Sequence, residues 1–376
     1  LLKAHRNFGP HALNGVVGYE VGWGYSEYMY AGGTNMPTGM QSLSVVSVEN
    51  PAPGVSGYDY HSASWAVLAQ AQYSYREKYV ATASIRYDKT YKFAPAARGG
   101  YFPGMSAAWL INKEPFMEDL AMFDLLKLRV GYGKTGNSDI EPFLYQDTFE
   151  LTRTYNGNTA AVLSRMANLN LGWEEAYMRS LGVDARLYDR INVTLDLYNT
   201  NNRNLLLDVP QAPSSGFTEF TANVGDINNR GIELAADADV LKTRDLCWNV
   251  GFNFGLNRNK VVSLPNGSFT RGFGTPAVNQ IVEEGEDIYT WYMPQWAGVN
   301  PDDGTPLWLK GVQEVDERGN LLYYVLDDAG NPTAEKTTEA TSARVYTGEI
   351  VTTGKYDQAT FYKVGSATPK FTGGIT

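Results

Sequence analysis

The sequence predicts an all-β fold, a segment of an antiparallel transmembrane β-barrel. Three observations predict it: strands with one apolar and one polar face, strand runs of about ten residues, and links that alternate between short and long.

The two-faced strands come first. Within 248–257, Trp248, Val250, Phe252, Phe254 and Leu256 share one face, while Asn249, Gly251, Asn253, Gly255 and Asn257 share the other. Tyr79, Ala81, Ala83, Ile85 and Tyr87 oppose Val80, Thr82, Ser84, Arg86 and Asp88. Ile191, Val193, Leu195 and Leu197 oppose Asn192, Thr194, Asp196 and Tyr198, and Leu126, Leu128, Val130 and Tyr132 oppose Lys127, Arg129, Gly131 and Gly133. Side chains alternate across a strand, so each run makes a sheet with one apolar face. A soluble sandwich has the same alternation, but its strands are usually about 5–6 residues. Runs of about ten are what a tilted strand needs to cross a bilayer. The run 65–75 places Trp65, Val67, Ala69, Ala71, Tyr73 and Tyr75 on one face, aromatic at both ends and small or aliphatic between, as a lipid-facing strand with aromatic girdles requires.

The links follow the same scheme. Short turns fall at Arg76-Glu77, Asp189-Arg190 and 242–246, and long links at 25–58, 138–171, 201–226 and 262–286. Membrane barrels combine tight turns at one rim with long loops at the other. The segment 114–124 reads as a short helix or turn at the tight rim, and 327–341 as a loop or hairpin tip. The opening Leu1-Leu2-Lys3-Ala4 and the strand-like close 369–376 read as the interior of a longer chain, so 1–376 is expected to be a portion of a barrel domain truncated at both ends.

Composition narrows the function. The net charge of −10 is unsuited to nucleic acid, which demands a basic face. One cysteine, Cys247, excludes an intrachain disulfide and reads as a small buried or lumenal side chain, and three histidines (His5, His11, His61) leave little for a metal site. No apolar run reaches the roughly 18 residues of a spanning helix. Tyr is the commonest aromatic, at 25 residues against 15 Phe and 8 Trp, which suits a membrane–water boundary.

Blocks of sequence then resemble the SusC/RagA family of TonB-dependent outer-membrane transporters. They are Arg86-Tyr87-Asp88 with Phe93, residues 101–109 (YFPGMSAAW), Glu114-Pro115-Phe116-Met117, residues 126–137 (LKLRVGYGKTGN), Asn170-Leu171-Gly172-Trp173-Glu174 with 181–184, residues 223–234 (NVGDINNRGIEL), 257–261 (NRNKV) and 365–371. Their order and spacing agree from about residue 60 onward. The resemblance implies a plugged barrel of about 22 strands, with the plug absent from this chain. It implies TonB-driven import of a glycan or oligopeptide across the outer membrane, with a SusD-type surface lipoprotein as partner; no cofactor is expected. A passive porin or adhesin barrel and a soluble glycan-binding sandwich are the alternatives.

Enzymatic motifs fail on context. Gly131, Gly133 and Gly136 match a dinucleotide fingerprint, but a loop follows where a helix must open. Glu174 and Glu175 point to opposite faces, so they make no acid/base pair. The acidic run 283–287 reads as solvated charge, and Asp302-Asp303-Gly304 and 327–331 read as turns rather than calcium loops. Asn192-Val-Thr sits within a strand, which argues against glycosylation there; Asn266-Gly-Ser is a second match. The chain is therefore expected not to be an enzyme. Tyr25, Tyr28, Tyr30, Tyr155 and Phe217 stand outside the alternating runs and are the candidate substrate-binding aromatics. Arg86, Asp88, Arg129, Asp184, Arg186 and Asp196 are expected to face the lumen.

Overall fold

The computed structural model describes residues 1–31, 38–39, 55–211, 213–217, 219–265, 268–273, 278–327, 332–341 and 343–376. Asn266-Gly267 and Asp328-Ala329-Gly330-Asn331 lie outside the described residues, as does most of the link expected at 25–58.

Strands dominate. In chain order they are β1 (Leu2–Phe8), β2 (His11–Ala31), β3 (Val55–Tyr75), β4 (Tyr79–Thr90), β5 (Gly99–Leu110), β6 (Phe123–Asn137), the hairpin β7 (Thr148–Tyr155) and β8 (Asn158–Arg165), then β9 (Glu174–Leu187) and β10 (Ile191–Arg203). A second hairpin, β11 (Leu206–Pro210) and β12 (Glu219–Asn223), precedes β13 (Asp226–Lys242) and β14 (Cys247–Ser263). Nine short strands follow: β15 (Ser268–Phe273), β16 (Val278–Glu283), β17 (Thr290–Pro294), β18 (Trp296–Val299), β19 (Pro306–Gln313), β20 (Tyr323–Leu326), β21 (Pro332–Thr337), β22 (Tyr346–Thr353) and β23 (Phe361–Ser366). The last strand is β24 (Thr372–Ile375). The hydrogen-bonded order of the long strands is β1-β2-β3-β4-β5-β6-β9-β10-β13-β14-β24. The short strands form separate small sheets, β15-β16-β17-β23 and β18-β19-β22, with β20-β21 as a hairpin. Contacts divide the chain into one unit of Leu1–Leu110, Gly131–Glu175 and Leu206–Asn223, and a second of Ile111–Val130, Ala176–Leu205 and Val224–Thr376.

Tight connections fall at one end of the long strands. The β3–β4 turn holds Arg76 and Glu77 at φ 50° and 52°, and Lys78 N donates to Tyr75 O at 3.0 Å. Two consecutive positive φ values define the primed turn whose twist matches a hairpin. The β9–β10 turn is built the same way on Tyr188 and Asp189, one residue earlier than expected from sequence, with Arg190 N donating to Leu187 O at 3.0 Å. Residues 114–124 supply a 3-10 turn, Pro115–Met117, at this same end. At the other end the long links are shorter than expected, because strands extend into them. β2 and β3 pair without interruption from His11↔Tyr75 to Ala31↔Val55, so Tyr25, Tyr28 and Tyr30 lie on a strand, contrary to their sequence assignment outside one. The links at 138–171 and 201–226 each contain a hairpin.

The faces are reversed relative to a soluble sheet. On β4 and β5 the apolar face is the accessible one, with Ile85 50%, Tyr101 62% and Met105 58% exposed. Ala66, on the polar face, is 2% exposed. Register places two aromatic rows on the apolar face. Near the tight turns, Phe8–His11–Tyr75–Tyr79–Trp109 runs across β1 to β5 with ring centroids 5.2, 5.0, 6.4 and 6.4 Å apart. Toward the long links, Tyr19–Trp65–Tyr87–Tyr101 runs across β2 to β5 at 6.5, 5.4 and 4.6 Å. Between the rows stand Val17, Ala69, Ala71, Ala81, Ala83, Ile85, Met105 and Ala107. From Tyr79 to Tyr87 the strand rises about 27 Å, and tilted strands bring that to the height of a membrane barrel's apolar band. In the second unit, Val193, Leu195 and Leu197 meet Ala236, Leu234 and Ile232, which meet Phe252, Phe254 and Leu256.

Candidate functional site

The polar face carries the chemistry. In the first unit, Arg86 on β4 donates to Asp88 at 2.8 Å and to Glu20 of β2 at 2.7 Å. In the second, Arg129 on β6 donates through Nε to Asp184 at 2.8 Å and through Nη2 lies 3.0 Å from Asp196, while Lys127 stands 3.5 Å from Asp184. A Cβ on Gly182 would collide with both Arg129 and Asp196, so the glycine clears the space in which this cluster sits. Arg186 pairs instead with Asp189 at the tight turn. Five of the six charged residues named from sequence thus fall into two clusters, and the sixth stands apart.

Toward the long links, the polar face of the first unit turns aromatic. Tyr28 and Tyr58 stack at 5.4 Å, Tyr58 and Tyr60 at 5.9 Å, and Tyr60 and Tyr91 at 6.4 Å. Phe143 meets Tyr60 edge-on at 6.1 Å and Tyr91 at 6.0 Å. Burial pushes the Tyr91 phenol upward, with Tyr60 adding to it, so this hydroxyl stays neutral. Phe143 has φ 64°, a left-handed backbone that costs a non-glycine residue about 1–2 kcal/mol. Its carbonyl is held by Gln146 N at 3.0 Å and Arg165 Nη2 at 3.3 Å. Strain kept in place by such contacts is common at ligand-binding positions.

Of the five aromatics named from sequence, only Tyr28 makes ring contacts within this ladder. Tyr30 shares its strand face by alternation, whereas Tyr25 is on the opposite face against His61 at 5.1 Å. Tyr155, 81% exposed, closes strand β7 beside the tight β7–β8 turn, also contrary to its assignment outside a strand, and Phe217 is half-buried after a 3-10 turn. Sequence reasoning missed Tyr58, Tyr60, Tyr91 and Phe143. The signal for two of them is visible in hindsight: Tyr58 and Tyr60 continue the even, polar-face positions of the 65–75 run.

Beneath the ladder lies a small core. Phe93, Ala94, Tyr145 and Leu171 are buried together, with Phe143 and Trp173 packed on them. Trp173 Nε1 donates to Arg98 O at 3.1 Å, and Arg98 reaches Phe93 O and the Tyr145 hydroxyl at 3.1 and 3.2 Å. The side chain of Asn223 bonds both backbone groups of Gly172, accepting at 2.6 Å and donating at 2.9 Å. It ties the Asn-Val-Gly-Asp block to the Asn-Leu-Gly-Trp-Glu block. Gly136 lies in β6, and a Cβ there would enter the Phe102 and Trp173 rings, so close ring packing accounts for it. The glycine motif is extended strand, incompatible with a nucleotide loop.

Remaining sequence readings resolve simply. Glu174 and Glu175 have separate partners, Leu206 N and Lys134. In the acidic run, Glu283 and Glu286 both hold Lys363, at 3.0 and 2.7 Å, and raise its pKa. Asp303 accepts from Thr305 N at 2.9 Å in a tight turn. Cys247 is exposed, which corrects the buried reading: it opens β14 directly after the 243–246 turn. Among the described residues no group of three or more His, Cys, Asp or Glu side chains is gathered as a metal site.

A strand array with an apolar outer band, aromatic rows at both borders and a polar opposite face defines a membrane-barrel wall. Residues 4–307 match the family model of the TonB-dependent receptor-like β-barrel. TonB-dependent receptor P39 of Formosa agariphila is 31% identical over 84% of this chain and 30% of its own length. TonB-dependent receptor SusC of Bacteroides thetaiotaomicron is 30% identical over 53% of this chain and 21% of its own. The solved RagAB peptide transporter superposes with TM-score 0.77 at 21% identity, covering 99% of this chain and 38% of that one. The chain belongs to the β-barrel family of TonB-dependent receptors. It spans about a third of the length of the first curated relatives it matches, 30% and 34%. That membership removes the soluble-sandwich alternative and places the chain in an outer-membrane transporter family.

Proposed function

We propose that this chain is wall for a TonB-dependent importer of a large polar nutrient, an oligosaccharide or an oligopeptide, working with a SusD-type surface lipoprotein. In this reading the polar face lines the lumen. The Glu20–Arg86–Asp88 and Arg129–Asp184–Asp196 clusters face the lumen and plug, Arg186 lies near the periplasmic rim, and the long links are external. The observation that carries it is the aromatic ladder Tyr28–Tyr58–Tyr60–Tyr91–Phe143, set on the polar face at the long-link end, where cargo would enter. Rings with a polar edge give broad contact area and hydroxyls at once, which suits sugars and peptides alike. Tyr30, Tyr155 and Phe217 would extend that surface, and Tyr25, facing the other way, would not reach the cargo.

The test uses the full-length receptor. Tyr60→Ala is expected to weaken binding of the cargo about fivefold, the worth of one aromatic contact, while Tyr60→Phe and Tyr25→Ala leave it near wild type. Isothermal titration against oligosaccharide and oligopeptide panels reads both the effect and the cargo class. Equal losses for Tyr60→Ala and Tyr25→Ala would remove the ladder from the binding site. Uptake that persists without TonB would replace the importer with a passive barrel.

A further inference from the structure

The apolar face of the second unit ends in cations at the long-link end. Arg230 on β13 and Arg258 on β14 are direct cross-strand partners, and Lys260 stands opposite Asn228. The pairing is regular from Ile227↔Val261 to Asp239↔Asn249, so these residues share the face of Ile232, Leu234, Phe254 and Leu256. Leu256 closes the continuous apolar run of β14 on that face, Arg258 follows about 7 Å further along the strand, and beyond Lys260 the exposed Val262 lies at the register irregularity that ends the strand. On the neighbouring strand, Arg203 closes β10 with its guanidinium 5.4 Å from the Tyr177 ring. Arg203, Arg230, Arg258 and Lys260 are all exposed.

No described carboxylate answers them. Among the described residues none of the four makes an ion pair, and Arg258 donates to a backbone carbonyl, Lys370 O, at 3.4 Å. Asp226, at the start of β13, accepts from Asn204 N at 3.2 Å. Like charges directly opposite one another across strands destabilise a sheet, and arginine is the side chain whose planar fork fits phosphate oxygens in pairs. Between the cations lie amides rather than acids: Asn228 Nδ2 donates to Asn199 and Asn201 at 2.9 and 2.7 Å. Basic residues immediately beyond an apolar band sit at head-group depth.

We propose that Arg203, Arg230, Arg258 and Lys260 form a site for a phosphorylated lipid head group of the external leaflet, with the acyl chains lying along Ile232, Leu234, Phe254 and Leu256. The site is on the apolar face of its own unit, whereas the cargo ladder is on the polar face of the first unit, so it serves to seat the receptor in its membrane and not to select nutrient. It rests on the reading above that the long links are external.

The experiment takes the full-length receptor, purified in detergent after outer-membrane insertion, and measures bound lipid by native mass spectrometry. The probes are a glycolipid carrying a head-group phosphate, its dephosphorylated form, and inorganic phosphate alone. The variant Arg230→Gln/Arg258→Gln/Lys260→Gln is expected to bind the phosphorylated lipid about a hundredfold more weakly. The charge-retaining Arg230→Lys/Arg258→Lys keeps most of the binding, and inorganic phosphate does not displace the lipid. Equal binding of the two lipid forms, equal binding by wild type and triple variant, or displacement by inorganic phosphate overturns the site. A wild-type receptor that does not insert into outer membranes overturns the barrel reading beneath it; one that inserts but shows no phosphate preference overturns the lipid site alone.

Discussion

Replacing Ala83 with arginine in the full-length receptor is expected to cost about 2–4 kcal/mol of barrel stability, the price of a cation at the bilayer midplane. Ala83 stands halfway between Tyr79 and Tyr87 on the accessible apolar face, with Ala71 and Met105 as its cross-strand partners. Among the described residues no carboxylate neighbours it on that face, and the side chain is too deep to reach either border easily. Thr82, one residue away, points to the other face between Gln72 and Ser106. Thr82→Arg is therefore expected to be tolerated. Urea titration of the inserted receptor, read as heat-modifiable migration, checks the pair. Equal tolerance of the two substitutions would show that the Ala83 face does not meet lipid.

Phe93→Ala is expected to cost about 3–5 kcal/mol, the range for emptying a buried aromatic site. Phe93 is 0% exposed, its ring lies 5.3 Å from Trp173, and its carbonyl holds Arg98 at 3.1 Å. The cavity would open under Phe143, which is already strained, so the loss should spread to the ladder. The expected result is a receptor that still inserts but has lost cargo binding beyond the fivefold effect of Tyr60→Ala, with increased protease cleavage in residues 138–173. Limited proteolysis and titration calorimetry on the same preparation check both halves. Unchanged cleavage with unchanged binding would show that this core does not support the ladder.

The strand framework was legible because polarity alternates wherever one face meets lipid and the other is polar. The runs 79–88, 126–133, 191–198 and 248–257 all fall within observed strands. Legibility failed where that contrast disappears. In 22–31, aromatics occupy both faces (Trp23 and Tyr25 on one, Tyr28 and Tyr30 on the other), so period-two polarity vanishes while pairing with β3 continues. The hairpins inside the long links, and the small sheets of 268–366, are short strands without a sustained apolar face. The family blocks were visible as sequence, but their reasons were spatial: Asn223 reaches Gly172 across 51 positions, and Gly136 yields room to Trp173 and Phe102. The ladder joins a strand pair to Tyr91 and Phe143, and contacts between separate links leave no local periodicity to read.

The central claim is that the apolar face meets lipid and the polar face does not. The direct measurement is a spin-label scan of positions 81–84 in the inserted full-length receptor, with the exposed Cys247 replaced by serine. Labels at Ala81 and Ala83 are predicted to relax with oxygen and to be shielded from a water-soluble nickel complex. Labels at Thr82 and Ser84 are predicted to show the reverse. Equal nickel access at all four positions would contradict the account, because a face that water reaches as freely as its opposite is not a membrane face.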